Sequence, residues 1–399
     1  MRICFVGWAD NIHLERWAAY FARQGEEVSV ISFSGLGQFP DGVRQYRLGL
    51  QKRGIRWKIL KLKYLLWKLR PDLVHVHWAH FAQPVSEAWS GPLAITAWGS
   101  DIYQLNDPSV VGELVQGLRA GHTITCDSED LVKRVKQLRG THGDNVHCVQ
   151  WGVDVKNFYP DAPDCNLMSE LGVLGRRVIF SPRGFLPVYN QDGVLSAFVQ
   201  VLREMPDAVL IMKDFDGMPH WRRAIRKRIE DLHLTDSVRI VGSVPYERMR
   251  EFYRMAPVTI SVPFSDATPM SVLEAMACGS VPIVSDLPSL REWIVDDWNG
   301  YLVSPSDTQR MANRIIHILK NPETVCEFAR RNRKIVEDRA NQAVHMERMR
   351  DLYRAMLDNT ILRSTGRIAS YLAWLSLCLN LVNFDCANLS ARIVLAFNS

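Results

Sequence analysis

The 399-residue sequence is missing the marks of several protein classes. Its eight cysteines include no Cys-x-x-Cys pair, which argues against a zinc site and against a disulfide framework. Thiols kept reduced in a cytosolic compartment fit that pattern. A charge excess of one sign is also missing. The net charge of +5 is too mild to imply nucleic acid by itself. No cleavable leader opens the chain: Met1-Arg2-Ile3-Cys4-Phe5-Val6-Gly7 runs straight into an apolar segment that reads as a strand. Late in the chain, Ile368 to Val382 is apolar but interrupted by Ser370, Ser376 and Asn380, and it is short for a membrane span. What remains is the composition of an ordinary globular protein, long enough for two domains with separate cores.

The pattern that is present is alternation. Ile3–Val6, Val28–Ile31, Leu73–Val76, Ala94–Thr96 and Thr123–Cys126 read as strands in the first half. Val178–Phe180, Val209–Met212, Arg239–Val241, Thr259–Val262 and Val281–Val284 repeat the pattern in the second. Continuous apolar strands separated by helical stretches predict parallel sheets covered on both faces. The expected fold is therefore α/β, with two doubly wound Rossmann-like domains facing a cleft and ligands at the carboxyl ends of the strands. A turn-rich segment, Tyr159 to Asp164, separates residues 1–160 from residues 165–340.

The most informative stretch runs from Ser265 to Gly279 and holds two carboxylates, Asp266 and Glu274, seven residues apart. Thr268 suits a helix N-cap and Pro269 a first helical position, with Gly279 as the stop. Free backbone N–H groups and the dipole of such a helix start form a site for phosphate. Glu274, about one turn inside, is placed to hold a sugar diol with two acceptor oxygens. Spacing alone equally allows an ordinary capped helix with two solvated acids.

Five stretches in order give a resemblance. They are Asn11 to Trp17, Trp98-Gly99-Ser100-Asp101, Gly152-Val153-Asp154 followed by Phe158 and Pro160, Ser181-Pro182-Arg183, and the Asp266–Glu274 motif followed by Asn299-Gly300. Over roughly residues 1 to 358 the chain resembles the retaining GT-B glycosyltransferases of the family-4 type, the glycosyl transferases group 1. The resemblance implies an acceptor-side domain (1–160), a nucleotide-sugar domain (165–340) and a helix crossing back over 341–358. Residues 359–399 form an extension that could pack as a helix, lie at an interface or stay disordered.

The same resemblance assigns site residues. Arg183 would contact the donor diphosphate, and Pro269, Met270 and Ser271 would line it at the helix start. Glu274 would hold the ribose of a UDP- or GDP-sugar, and Asp266 would lie beside the transferred sugar. Gly7 is expected where a first-domain strand allows close backbone approach to the donor. On the acceptor side stand His13, Trp98 and Asp101, with Trp98 offering a flat apolar face. Two departures stand out. Asp266 replaces the usual glutamate, and Tyr189-Asn190 stands where relatives carry a Lys-Gly pair. Lys213, at a neighbouring strand end, is the nearest cationic substitute.

Cations and helix N–H groups would stabilise the leaving diphosphate, which itself takes the acceptor proton on the same face. No cofactor and no metal is expected. His75, His77 and His80 have no carboxylate or cysteine partner at hand and read as packing or cleft-rim residues. From Gln51 to Arg70 eight basic residues occur with no acid, interleaved with Trp57, Leu60, Tyr64 and Trp67 at helical spacing. Residues 52–70 are therefore expected to lie on an anionic membrane surface or, alternatively, to pack their apolar face on the sheet. The sequence thus predicts a hexosyltransferase peripheral to the cytoplasmic face of the membrane. It would act on a glycan or lipid-linked acceptor in surface polysaccharide or glycolipid synthesis. A catalytically silent partner of the same fold and a nucleotide-sugar epimerase are the alternatives.

Overall fold

A computed structural model describes residues 1–49, 55–104, 107–140, 145–214 and 219–359. The apolar stretch Ile368 to Val382, the rest of 360–399, Lys52, Arg53 and the turn residues Phe215, Asp216 and Gly217 lie outside the described residues.

Two parallel sheets form the frame. The first contains β1 (Arg2–Gly7), β2 (Glu27–Ser32), β3 (Arg44–Arg47), β4 (Leu73–His77), β5 (Leu93–Ala97), β6 (Thr123–Cys126) and β7 (Val146–Cys148), in the order β3-β2-β1-β4-β5-β6-β7. The second contains β8 (Arg177–Ser181), β9 (Ala208–Lys213), β10 (Val238–Val241), β11 (Val258–Ser261), β12 (Val281–Ser285) and β13 (Tyr301–Val303), in the order β10-β9-β8-β11-β12-β13. Every residue of β4, β5, β11 and β12 is buried, as the uninterrupted apolar runs require for strands covered on both faces. Three strands lack a signal of that kind: β3, β7 and β13. Each is short and lies at a sheet edge, where one side needs no apolar cover, and β3 reads Arg-Gln-Tyr-Arg.

In both sheets the strand order reverses once, between β1 and β4 in the first and between β8 and β11 in the second. Crevices outside the carboxyl ends at such reversals are where open α/β sheets bind ligands. The helices that border the sheets and the cleft include α1 (Ile12–Arg23), α2 (Ile55–Leu69), α3 (Glu129–Arg139), α4 (Gln191–Glu204), α5 (Met270–Cys278) and α6 (342–359). The last of these returns to the first sheet. Tyr353 of α6 hydrogen-bonds His75 Nδ1 at 2.5 Å and packs its ring 5.2 Å from that of Phe21.

The Gly152-Val153-Asp154 segment is fastened to the start of α6. Val153 exchanges backbone bonds with the residues that start α6, its N–H donating to Ala340 at 2.6 Å and its carbonyl accepting from Gln342 at 3.0 Å. Gly152 has φ +81°, and a Cβ there would lie 2.6 Å from Gln342 Cα. Phe158 is fully buried, and the Arg333 guanidinium donates to the carbonyls of Phe158 and Val155.

Candidate active site

The second-domain wall of the cleft is made where β9, β8 and β11 end side by side. Arg183 follows β8, Lys213 closes β9, and Asp266 follows β11 on the loop before α5. Arg183 and Asp266 therefore meet across the strand reversal, with Nη2 2.9 Å from Oδ2. Burial raises the Asp266 carboxyl, and the guanidinium beside it works against that rise. Glu274, five residues into α5 and buried, accepts from the Tyr253 hydroxyl at 3.0 Å. Its carboxyl is also raised by burial, while Arg16, Tyr253, Tyr246 and Lys213 pull it back toward the charged form.

The helix start differs from expectation. The N-cap position is Pro269, and α5 begins at Met270. Thr268 does not cap the helix. Its hydroxyl donates to the Asp127 carbonyl at 2.7 Å, across the cleft in the first domain. A first-turn amide lacks an intrahelical partner by geometry, and the Ser271 hydroxyl, buried there, also has no partner. The positive end of α5 thus opens toward the Arg183–Asp266 pair.

At the Lys-Gly position the two functions of the pair separate. Asn190 takes the left-handed backbone a glycine would supply, φ 55°, directly before α4. Tyr189 supplies no charge. Its ring lies under the Arg183 guanidinium, 4.2 Å from centre to carbon. Gln191 holds the arginine loop from the other side, its Nε2 donating to the carbonyls of Arg183 and Gly184. Lys213 is buried at its strand end, close enough to bias the Glu274 carboxyl.

On the first-domain wall the assigned residues are arranged differently from expectation in two cases. A Cβ on Gly7 would lie 2.9 Å from the His77 carbonyl and 3.0 Å from Leu14 Cδ1, so the approach that this glycine permits is to β4 and α1. Asp101 is turned inward: its carboxylate accepts the backbone N–H of Ala79 at 2.6 Å and of Trp98 at 2.9 Å. Burial raises this carboxyl to about 6 despite those bonds. Asp101 thus ties the loops after β4 and β5 together and does not reach into the cleft. His13 and Trp98 do come together, their rings stacked at 4.4 Å. Burial, with Arg16 and Arg183 nearby, lowers His13 to about 3, so its imidazole is neutral at physiological pH. His75 and His77 share a face of β4 with rings 4.4 Å apart, both buried, while His80 packs beside Trp8. Among the described residues no group of three His, Cys, Asp or Glu side chains could hold a metal ion.

Four residues without an assigned role in the sequence, Arg16, Tyr246, Tyr253 and Asp127, join the site. Arg16, on α1 of the first domain, reaches over the Tyr246 ring at 3.4 Å and lies 3.7 Å from Glu274. Tyr246 and Tyr253 flank that carboxylate from one short helical segment. Asp127, directly after β6, is buried with Oδ1 unpartnered and faces Asp266 closely enough to raise its own carboxyl further. Glu292 adds a clasp between domains, its two oxygens accepting the Glu129 and Asp130 amides, both at 2.9 Å, at the start of α3. Gly99, φ +90°, has no room for a side chain, since its Cβ would lie 2.7 Å from that of Ala267 in the second domain.

Comparison with known proteins agrees with this architecture. Residues 168–335 match the model of the glycosyl transferases group 1, and residues 2–128 that of the glycosyl transferase 4-like proteins. The N-acetyl-alpha-D-glucosaminyl L-malate synthase of Bacillus anthracis is 24% identical over 275 residues, 66% of this chain and 70% of that protein. A D-inositol 3-phosphate glycosyltransferase of Xylanimonas cellulosilytica is 24% identical over 59% of this chain and 60% of its own length. Among solved structures, HepE of Anabaena in complex with UDP-glucose superposes with a TM-score of 0.78 at 16% identity, covering 89% of this chain and all of that one. Sucrose-phosphate synthase from Thermosynechococcus elongatus gives 0.77 at 18% identity, over 90% of this chain and all of its own. At such identities these structures speak for the fold, and the two family models speak for descent: the chain belongs to the GT-B glycosyltransferases of the group 1, family-4 type.

Proposed function

We propose that this protein transfers a hexosyl group from a nucleoside diphosphate sugar to a glycan or lipid-linked acceptor, with retention of anomeric configuration. The observation that carries the proposal is the meeting of Arg183, the open end of α5 and Glu274 at one strand reversal. A guanidinium fork and first-turn amides suit a departing diphosphate, and a buried carboxylate beyond them suits a ribose diol. UDP is the favoured donor nucleotide, since HepE was solved with UDP and UDP-glucose. Retention follows if the leaving diphosphate takes the acceptor proton on the face it vacates. Arg183, with Lys213 beside it, would stabilise that charge, and Asp266 would steer the transferred sugar through its pairing with Arg183.

The protein would work against the cytoplasmic face of a membrane. Helix α2 has two apolar faces: Leu62, Leu65, Leu66 and Leu69 are buried, while Trp57, Leu60, Tyr64 and Trp67 are half or more exposed. With about 3.6 residues per turn the two sets fall on opposite sides. Lysines at 61, 63 and 68 flank the exposed set, an arrangement that suits anionic lipid. No described helix is long and apolar enough to cross a membrane.

One observation favours the silent-partner alternative. The carboxylate expected to receive ribose already faces Arg16, and the one beside the sugar already pairs with Arg183. Calorimetric titration with UDP and GDP, followed by nucleotide release from a panel of their sugars, decides between the two. Binding of one nucleotide with hydrolysis of one of its sugars supports transfer. Binding with no turnover, even with membrane extract as acceptor, supports the silent partner. No binding of either nucleotide refutes the proposed transfer and leaves a silent partner that binds another transferase.

A further inference from the structure

Three neighbouring strands of the first sheet end in the same way. Trp8 follows β1, Trp78 follows β4 and Trp98 follows β5. Because β1, β4 and β5 adjoin, the indoles form a row across the carboxyl edge, with ring centroids 4.8 Å apart for Trp8 and Trp78 and 6.1 Å for Trp78 and Trp98. Phe81 extends the row, edge-on to Trp8 at 5.2 Å, and His13 stacks on Trp98 at the other end. Trp78 is held there at a backbone cost, with φ +70°, a region that bulky residues rarely enter. The Asp101 carboxylate accepts the amide of Ala79, directly after Trp78, and that of Trp98, and so ties that turn to the loop after β5. Trp8, Trp98, Phe81 and His13 each remain partly exposed.

From this row we infer that the acceptor is an uncharged sugar, laid with the apolar face of its ring against Trp8 and Trp98. The inference rests on the proposed transfer and names the acceptor class for that site. Its grounds are what the wall offers and what it withholds. Indole faces match the C–H face of a pyranose in shape and polarity. Hydroxyl groups at the ring edge need donors and acceptors, and Trp98 Nε1, His13 Nδ1 and Asp127 Oδ1 are buried without partners among the described residues. A bare hydrocarbon acceptor would leave all three unsatisfied, at a cost for each. The loops that end the three strands offer an anionic acceptor no counter-charge of their own, and Arg183, a cation near His13, is paired with Asp266. The residues after the three strands, 8–15, 78–83 and 98–104, contain Asp10, Glu15 and Asp101 and no lysine or arginine. Their two histidines are neutral, since burial lowers His13 to about 3 and His80 to about 4. Arg16, next in sequence, is turned to Tyr246 and Glu274.

The test tracks the indole N–H signals of the full chain by NMR, with and without saturating UDP. The probes are methyl glucoside, galactoside, mannoside and N-acetylglucosaminide, set against L-malate, inositol phosphate, glucuronate and hexanol. The neutral glycosides are expected to shift the Trp8 and Trp98 signals, assigned through Trp8→Phe and Trp98→Phe, while the anions and the alcohol leave them unmoved. Trp8→Ala should weaken sugar binding roughly tenfold, the loss of one stacking face. Its affinity for UDP, measured by calorimetry, should stay within about twofold because Trp8 lies on the opposite wall. Tighter binding of an anion or of hexanol, or no shift with any neutral sugar in either state, overturns the inference. Failure of the donor assignment is distinct: it shows as absent UDP binding, whatever the sugars do.

Discussion

The second-domain wall of the cleft presents Arg183, Lys213, Asp266 and Glu274, all ionisable, with Arg183 paired to Asp266 and Lys213 close enough to favour the charged form of Glu274. The facing first-domain wall presents Trp8, Trp78, Trp98 and His13, with no charge at neutral pH. The difference teaches how one fold, used twice, is divided. Both walls stand at the strand reversal of an equivalent sheet, so topology puts a ligand at each. The chemistry placed there sets which ligand: fixed opposed charges suit a diphosphate whose charge changes during reaction, and flat neutral rings suit a partner whose charge does not.

Breaking the charged wall should have the largest effect. Arg183→Ala leaves Asp266 buried without its counter-ion and removes the fork from the diphosphate. UDP affinity is expected to fall by roughly 2–3 kcal/mol, about 30- to 150-fold. Glu274→Ala should weaken it by a comparable amount while freeing the Tyr253 hydroxyl. Calorimetry reads both directly, and unchanged affinity in the two variants would remove the donor site from this wall. Asp266→Ala should act later in the reaction. Nucleotide affinity should stay within a few-fold while the single-turnover rate drops by about tenfold or more, the mark of an interaction made in the transition state.

How much of this division is legible in the sequence depends on how each wall is encoded. The charged wall has a contiguous signature: two acids seven residues apart around a helix start. Its second layer is not contiguous. Arg16 reaches Glu274 from α1, and Tyr246 and Tyr253 reach it from a helical segment before β11, so the spacing of the two acids does not announce them. Thr268 looked like a cap by residue type, yet a stronger partner, the Asp127 carbonyl across the cleft, takes its hydroxyl. The aromatic wall has a different defect. Each tryptophan does follow a readable strand, but the three become neighbours only once the sheet order is known. Asp101 shows the limit of residue-type reasoning, since an acid in a ligand-side turn can equally be spent on backbone amides. Edge strands escaped because an edge demands little apolar pattern.

A milder way to sharpen the comparison lies outside the cleft. The exposed face of α2 belongs to the first domain, and if that domain receives a lipid-linked glycan, membrane contact should come through it. Replacing Trp57 and Trp67 together by glutamate should weaken sedimentation with phosphatidylserine-containing vesicles by roughly tenfold or more, and high salt should weaken the native protein likewise. The same variant should keep its UDP affinity, since neither residue touches the second domain. Equal vesicle binding by native and variant protein would leave α2 as an ordinary surface helix.

The smallest effects expected are on pH dependence, and there the first-domain wall contains groups of opposite slope: His75, with His13 and His80, against Asp101, with Asp127. His75 is buried and neutral, bonded to Tyr353 and Thr96, with burial lowering it to about 3 from 6.5. The unfolded chain therefore binds its proton first, and its contribution to stability is full above pH 6.5 and lost as pH falls toward 3. Asp101 runs the other way. Burial raises it from 3.8 to about 6, so its contribution is full below pH 3.8 and lost as pH rises through 6. Between pH 4 and 6 the two slopes oppose each other, and the native protein should show a shallow dependence there. Asp101→Asn removes one of them. Urea unfolding of that variant is expected to show lower stability by about 1–3 kcal/mol, because the amide can accept but has no second acceptor for both N–H groups. It should also show a steeper rise with pH across that window, as the histidine slope is left uncompensated. A variant with the native slope would mean that Asp101 does not titrate in the folded wall, and that its two amide bonds hold it ionised throughout.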